Sequence, residues 1–300
     1  MLEAVPNVSE GRDPDVVRAI GAAFAGDAAL LDVHTDPDHN RSVFTLAGHD
    51  EKLVASLLAG VAAASDLIDL REHVGVHPRV GVADVVPLVP LVPGEMEAAI
   101  TAAREVARRI GVELGLPVFL YGEVGAGRRP AFFRRGGLDE LRRRVDSGEL
   151  EPDAGPGRID ARSGAVLVGA RAQLVAYNVE LATDDVGVAR AVAEAVRESS
   201  GGMPGVQAIG LRLPRTGRVQ VSMNVIDVDG APLHEVVERV RREAQARGVE
   251  VAGGEVVGLM PERVVADAED AGVELPGVDA SRALEPAVRS RLAEWPGPSS

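Results

Sequence analysis

The sequence predicts an α+β protein of two α/β subdomains, each a mixed or antiparallel sheet with a β-α-β-β-α-β layout and helices on one face. Three observations predict it. At 300 residues the chain exceeds the usual single domain. Strand-like runs alternate with segments of helical period, and the same order of elements occurs twice. Helices fall between paired, hairpin-like strands, which favours split β-α-β units over a doubly wound sheet. The expected boundaries are residues 1–173 and 174–300.

The elements follow in chain order. "LEAVP" is apolar and opens the first sheet; a helix is expected from Asp13 to Ala25. "ALLDVH" and "SVFTLAG" read as a strand pair, followed by a helix from Glu51 to Leu70 and the strand "GVADVVPLVP". In "EMEAAITAAREVARRIGVELG", Met96, Ile100, Ala103, Val106, Ile110 and Leu114 share one helical face. "PVFLYGE" closes the first β-α-β-β-α-β pass, which runs from Leu2 to Glu123. "DSGELEPDAGPGRIDARSG" is rich in Gly, Pro and Asp and reads as a loop or linker. After "AVLVGA", a second pass runs from Leu174 to Met260. "TDDVGVARAVAEAVRESSGG" is expected to be capped by Thr183 and to stop at Gly201. "VQAIGLRLP" and "RVQVSMNVIDV" form the next pair. "LHEVVERVRREA" places Leu233, Val236, Val237, Val240 and Ala244 on one face, and "VEVAGGEVVGLM" is the last strand. The tail "EWPGPSS" is expected to be disordered.

Composition narrows the function. There is no cysteine, so no disulfide and no thiolate nucleophile or ligand. "MLEAVPNVSEG" lacks a basic and an apolar signal region, and "VVPLVPLVP" is broken by three prolines. A cytoplasmic protein with no membrane partner is expected. The 46 acidic and 32 basic side chains give a formal net charge of −14, which disfavours a nucleic acid partner and leaves small molecules. The basic cluster from Gly127 to Val145 is either a solvated face or a focused site for an anion.

Three stretches carry candidate chemistry. "HVGVHPRVG" places His73 and His77 four residues apart, a spacing that shares a helix face. Gly75 and Pro78 oppose a helix there, and neither HExxH nor a third ligand is present, so no metal is expected. His77 then stands as a proton-transfer group on a loop stiffened by Pro78, or as a solvent-exposed histidine. "HTDPDHNRSVF" gathers His34, Asp36, Asp38, His39, Asn40 and Arg41 in one hairpin: a polar turn, or a site for a carboxylate and an amine. "EVGAGRRP" puts Glu123 at the end of a strand.

Taken together these stretches resemble the glutamate formimidoyltransferase family, which includes the transferase portion of the formimidoyltransferase-cyclodeaminases. "VPNVSEGRD" resembles the family's opening block and "DHNRSVFTLAG" its second. "LIDLREHVGVHPRVGVADVVPLVP" resembles the block that carries G-x-H-P-R, and "LGLPVFLYGE" the next. "LVAYNVELAT", "VRESSGG", "VQAIGLRL", "VQVSMNVID", "PLHEVVE" and "VVGLMP" have counterparts in the second half. The resemblance runs in order from about residue 2 to 266. It departs at Val76, where an acid or Gln is usual, and at Ala154, where "PDAGP" replaces P-D-F-G-P.

The resemblance implies two α/β subdomains with a ligand cleft between them, a homodimer, and transfer of a formimidoyl group from N-formimidoyl-L-glutamate to tetrahydrofolate as co-substrate. It implies His77 as the catalytic group. His39, Asn40, Arg41 and Arg79 are expected to bind the donor, with Glu123, Asn178 and Asn224 lining the cleft. The folate loop corresponds to Gly155, Pro156, Gly157, Arg158, Ile159, Asp160, Ala161, Arg162, Ser163 and Gly164. Two alternatives stand beside this reading. One is a related transferase with a formyl donor or another acceptor amine. The other is a catalytically silent paralogue that binds a folate-like ligand.

Overall fold

The computed structural model describes residues 1–76 and 78–292. His77 and the tail "EWPGPSS" lie outside the described residues. The chain divides into two compact units, Met1–Ala172 and Gln173–Ser290.

The first unit opens with β1 (Leu2–Ala4) and β2 (Asn7–Val8), then α1 (Pro14–Phe24), β3 (Ala29–Asp36), β4 (Arg41–Gly48), α2 (Asp50–Leu67) and β5 (Ala83–Pro90). Both β1 and β2 pair antiparallel with β4 and β5, so they are one strand interrupted around Pro6, which has no N–H to give the ladder. Asp13 caps α1, accepting from the N–H groups of Asp15 and Val16. α1 and α2 approach closely because Gly60 faces Phe24; a Cβ there would lie 2.0 Å from the ring.

The sheet continues beyond the β-α-β-β-α-β pass. α3 (Met96–Arg109) leads through a π-helical turn, Ile110–Leu114, to β6 (Val118–Gly122). Two short helices, α4 (Pro130–Arg134) and α5 (Gly137–Asp146), precede β7 (Val166–Ala170). β7 inserts between β5 and β6 and runs parallel to both. The strand order is therefore β3-β4-(β1,β2)-β5-β7-β6.

This part of the sheet has helices on both faces, unlike the single helical face expected. Val86, Leu88, Val118, Val166 and Val168 pack into the core shared with α1, α2 and α3. The alternate residues Val85, Phe119, Tyr121 and Leu167 pack with Phe133 of α4 and Leu141 and Val145 of α5. Parallel strands are normally buried on both faces, and the unbroken apolar reading of β5 and β7 reflects that. Each such Val, Leu or Phe removed from water contributes about 1.5–3 kcal/mol. The Gly- and Pro-rich stretch from Asp146 to Gly164 is accordingly no linker between units. It lies inside the first unit, bridges to β6 through Ala154 and Val118, and buries Ile159.

The second unit contains β8 (Val175–Leu181), α6 (Val186–Val196), β9 (Val206–Arg212), β10 (Val219–Val225), α7 (Leu233–Gln245) and β11 (Val251–Val256). Its antiparallel sheet has the order β11-β8-β10-β9. Val175, Tyr177, Val179, Val219, Val221 and Met223 face the helices. α6 is capped by Asp185 rather than Thr183, and it ends at Val196 before a 3₁₀ turn at Glu198–Ser200. Thr183 Oγ1 instead accepts from the Asp185 N–H, one step outside the helix. Helices α8 (Glu262–Asp270) and α9 (Leu284–Arg291) follow β11. Among the described residues no helix is long and apolar enough to cross a membrane.

Candidate active site

The hairpin joining β3 to β4 forms a platform. Asp36 closes it: Oδ1 accepts from the N–H groups of Asp38 and His39, and Oδ2 pairs with His39 Nδ1. Burial alone would raise the Asp36 carboxyl. The hydrogen bonds and charge from His39 outweigh this and bring its pKa down to about 2. Asn40 follows with φ of 49°, a left-handed conformation that Asn tolerates better than most side chains. Its Oδ1 accepts from the Gly11 N–H at 2.9 Å, which ties the hairpin to "VSEG". There the Glu10 carboxylate accepts three consecutive N–H groups, from Gly11, Arg12 and Asp13.

The loop containing "HVGV" and "PRV" is built onto this platform. Asn40 Nδ2 donates to Val74 O at 3.2 Å, and Arg79 Nη2 donates to His39 O at 3.2 Å. Gly75 is required at the contact, since a Cβ there would lie 2.4 Å from His39 O and 2.6 Å from Arg79 Nη2. At the loop's far end Val80 N–H donates to Asp84 Oδ1 at 2.7 Å. Position 77 is thus flanked by anchored backbone on both sides.

His73 has a structural role. Its Nε2 meets Asn40 O at 3.0 Å, and a carbonyl only accepts, so Nε2 carries the proton. Nδ1 must then present its lone pair to Arg79 Nη1, with which it is paired. Burial and then the Arg79 charge push the His73 pKa below its ordinary value. A neutral ring with its lone pair occupied is a poor metal ligand and a poor proton shuttle. Among the described residues no group of three or more His, Asp or Glu is placed to hold a metal ion.

This predicts that ¹⁵N NMR at pH 7 shows His73 neutral with the proton on Nε2. A charged ring at that pH would contradict the assignment. Because the folded pKa is depressed, the stabilisation is present above the ordinary histidine value of about 6.5. It falls as pH drops from there toward the folded value.

Arg41, Arg79, Asp84 and Arg134 complete the polar cluster. Asp84 on β5 is 2% exposed, and its Oδ2 pairs with Arg134 Nη2 from α4. Burial, then repulsion from Arg134, lowers Arg41 to about 10 against the attraction of Asp84 and Asp36. Burial also lowers Arg79, opposed by Asp84. His39, Asn40, Arg41 and Arg79 therefore lie in one cluster. Asp84 and Arg134 were not anticipated. The available signal was one acid inside "VGVADVVPLVP", because a charge in a buried strand must find a partner.

The other candidates are carried by other elements. Glu123 is exposed and opens a 3₁₀ turn after β6. Asn178 and Asn224 belong to the second unit, on β8 and β10, and both point away from its helical core. Asn178 is buried, with Nδ2 3.5 Å from Glu255 Oε2, and Asn224 is exposed.

The 155–164 stretch has an exposed tip and an anchored base. Gly155, Pro156, Gly157 and Arg158 are exposed. Gly155 has φ of 83° and packs on the π-helical turn, where a Cβ on Gly111 would lie 2.5 Å from Gly155 N. Ile159 is in the core, and Asp160 accepts from the N–H of Ser163 and, through its carbonyl, of Gly164. Ala161 is half-buried. Arg162 is tied to the first unit's own backbone and to a carboxylate. Its Nη2 donates to Asp66 O at 2.8 Å, and its Nε lies 3.9 Å from Asp69 Oδ2, so it satisfies the C-terminal end of α2.

Comparison with known proteins matches most of the chain. The model of the formiminotransferase domain, N-terminal subdomain, matches residues 1–171, and that of the formiminotransferase domain matches residues 176–274. The chain is 39% identical over 294 residues to the glutamate formimidoyltransferase of Thermoplasma acidophilum, covering 95% of this chain and 96% of that one. It is 36% identical over 274 residues to the enzyme of the same name from Streptococcus pyogenes serotype M1, covering 89% and 91%. It is 39% identical over 280 residues to the formimidoyltransferase-cyclodeaminase of Sus scrofa, covering 89% of this chain and 51% of that protein. The chain belongs to the formiminotransferase family.

Proposed function

We propose that this protein transfers the formimidoyl group of N-formimidoyl-L-glutamate to tetrahydrofolate, with His77 as general acid and base. The observation that carries the reading is the near end-to-end match to proteins named glutamate formimidoyltransferase. The polar cluster of the first unit suits it: arginines for carboxylates, and a histidine position on an anchored loop.

Tetrahydrofolate supplies the nucleophilic secondary amine, and the donor supplies an electrophilic amidine carbon. His77 removes the proton of the attacking amine and returns one to the departing glutamate nitrogen. Such acid–base help contributes roughly 10²–10⁴-fold, and holding two substrates together supplies much of the rest. His39, Asn40, Arg41 and Arg79 hold the donor, and Glu123, Asn178 and Asn224 contact the substrates. No step requires a metal. We take the protein to act in the cytoplasm, and to be a homodimer as the family resemblance implies; light scattering of the purified chain measures the latter.

The 155–164 stretch fits a folate. Its exposed Gly-Pro-Gly tip leaves backbone open to a flat ring, and Arg158 offers a cation to an acidic tail. Ile159, Asp160, Ala161, Ser163 and Gly164 keep the tip in place, as does Arg162 through α2. Arg158→Ala is therefore expected to weaken tetrahydrofolate binding, by less at high salt. Arg162→Ala is expected to cost about 1 kcal/mol of stability with folate affinity retained. Titration and urea unfolding of both variants check the split; equal loss of folate affinity would contradict it.

The assay that tests the reading is release of glutamate from formimidoylglutamate, with and without tetrahydrofolate. Release that depends on tetrahydrofolate supports it. Activity only with the formyl donor would point to a formyl transferase, and turnover with neither to a silent binding protein.

A further inference from the structure

We propose that Asp160 is a positioning residue: it fixes a turn that holds both ends of the loop carrying position 77, and so sets where that loop stands against the stretch proposed for the folate. The proposal deepens the preceding reading and rests on it for the roles of the two segments.

Both segments lie in the first unit. The loop leaves the end of α2 and rejoins the sheet at β5, and its two ends meet on consecutive residues, Arg162 to Ala165. At the entry, Leu70 N–H donates to Arg162 O at 2.9 Å. Arg162 Nη2 donates to Asp66 O, and Ser65 Oγ and Ser163 Oγ lie 3.3 Å apart. At the exit, Val82 N–H donates to Ser163 O at 3.0 Å, and Ala165 N–H donates to Val80 O at 2.8 Å. Gly81 and Gly164 form a bridge there, with backbones so close that a Cβ on Gly164 would lie 2.1 Å from Val80 O. A loop whose ends are joined in this way is a compact body, and its placement follows its neck.

Asp160 organises this neck. It is exposed, yet its Oδ2 accepts from the Ser163 N–H at 3.0 Å, and its carbonyl accepts from the Gly164 N–H at 2.9 Å. Carboxylate and carbonyl together close the turn that aims Arg162 O at Leu70 and Ser163 O at Val82. The exit has further support: Ser9 Oγ donates to Gly81 O at 2.8 Å, and Asp84 accepts from Val80. The entry is held by Arg162 and Ser163, both inside the turn. Loss of the Asp160 carboxylate should therefore release the entry first. His73 follows, with its N–H on Leu70 O and its ring on Asn40 O. Slack at Leu70 passes through it toward position 77. Displacing a reacting group by about 1 Å can cost up to about 10²-fold in rate.

The test compares the wild-type full chain with Asp160→Ala and Asp160→Asn, by amide hydrogen exchange and by kinetics with formimidoylglutamate and tetrahydrofolate. Melting curves check that both variants fold. In Asp160→Ala the amides of Leu70 and His73 should exchange about tenfold faster, together with those of Ser163 and Gly164. At saturating substrates kcat should fall about tenfold, with the donor KM within about twofold of the wild type. Asp160→Asn keeps an acceptor in the same place and should retain at least about half of kcat and the wild-type exchange pattern. Loosening confined to residues 155–165, or a raised tetrahydrofolate KM with unchanged kcat, would overturn the proposal and leave Asp160 as a support of the tip alone. An Asp160→Asn variant as impaired as Asp160→Ala would overturn it too. Faster exchange at Leu70 in a protein that transfers nothing would sustain the role of the turn and remove the proposed function. Wild-type transfer with kcat unchanged in Asp160→Ala would do the reverse.

Discussion

His77→Ala is expected to lower kcat by at least about 10²-fold while leaving both substrates bound. The loop's architecture explains why the loss should fall on the chemical step. Before position 77, Val74 O and His73 are held by Asn40. After it, Arg79 is held by His39 O and Val80 by Asp84. Truncating one side chain between those anchors removes a proton carrier without releasing the loop. Pre-steady-state kinetics with titration of each ligand checks this. Near-normal kcat in the variant would remove His77 from the chemistry, and a rise in KM alone would make it a binding residue.

Asp84→Ala should have the largest effect on stability. Removing one partner of a buried ion pair costs about 3–5 kcal/mol, because the other charge is left without compensation. Here the loss also strips the acceptor from Val80 N–H and the attraction felt by Arg41 and Arg79. Asp84→Asn keeps an acceptor for Val80 and should lose less. Adding Arg134→Met to Asp84→Ala should restore part of the loss, since it removes the orphaned cation. Urea unfolding of the three variants measures this. A loss below about 1 kcal/mol in Asp84→Ala would mean that water already screens the cluster.

Much of this was legible in residue type and spacing, and the failures have physical causes. The β-α-β-β-α-β succession follows from apolar period, and the second unit shows that order of elements from β8 to β11. The helices α4 and α5 were hidden by their arginines. In "AFFRRGGLDELRRRV" the charges suggest a solvated face, yet Phe133, Leu141 and Val145 pack on the second face of the sheet. Gly and Pro made Asp146 to Gly164 resemble a linker, although β7 returns the chain to the middle of the first sheet.

At the site, the hairpin residues His39, Asn40 and Arg41 stood out because polar groups crowd a short turn. The four-residue spacing of His73 and His77 raised a paired site, which Gly75 and Pro78 opposed. The two ring nitrogens of His73 are committed to Asn40 O and Arg79, contacts across 33 and 6 residues of chain. Spacing along the sequence does not reveal such bonds. The Asp84–Arg134 pair spans 50 residues and was likewise hidden, although a lone acid in a buried strand required some cation.

Following the transferred carbon separates transfer to folate from every other fate of the donor. Donor labelled with ¹³C in its formimidoyl group, mixed with tetrahydrofolate and the wild-type chain, is monitored by NMR. The label is expected to leave glutamate and appear on the folate at N5, with release of unlabelled glutamate in equal amount and loss of the signal transfer in His77→Ala. A label that remains on glutamate, or that leaves as free formamide or formate without reaching the folate, would contradict it.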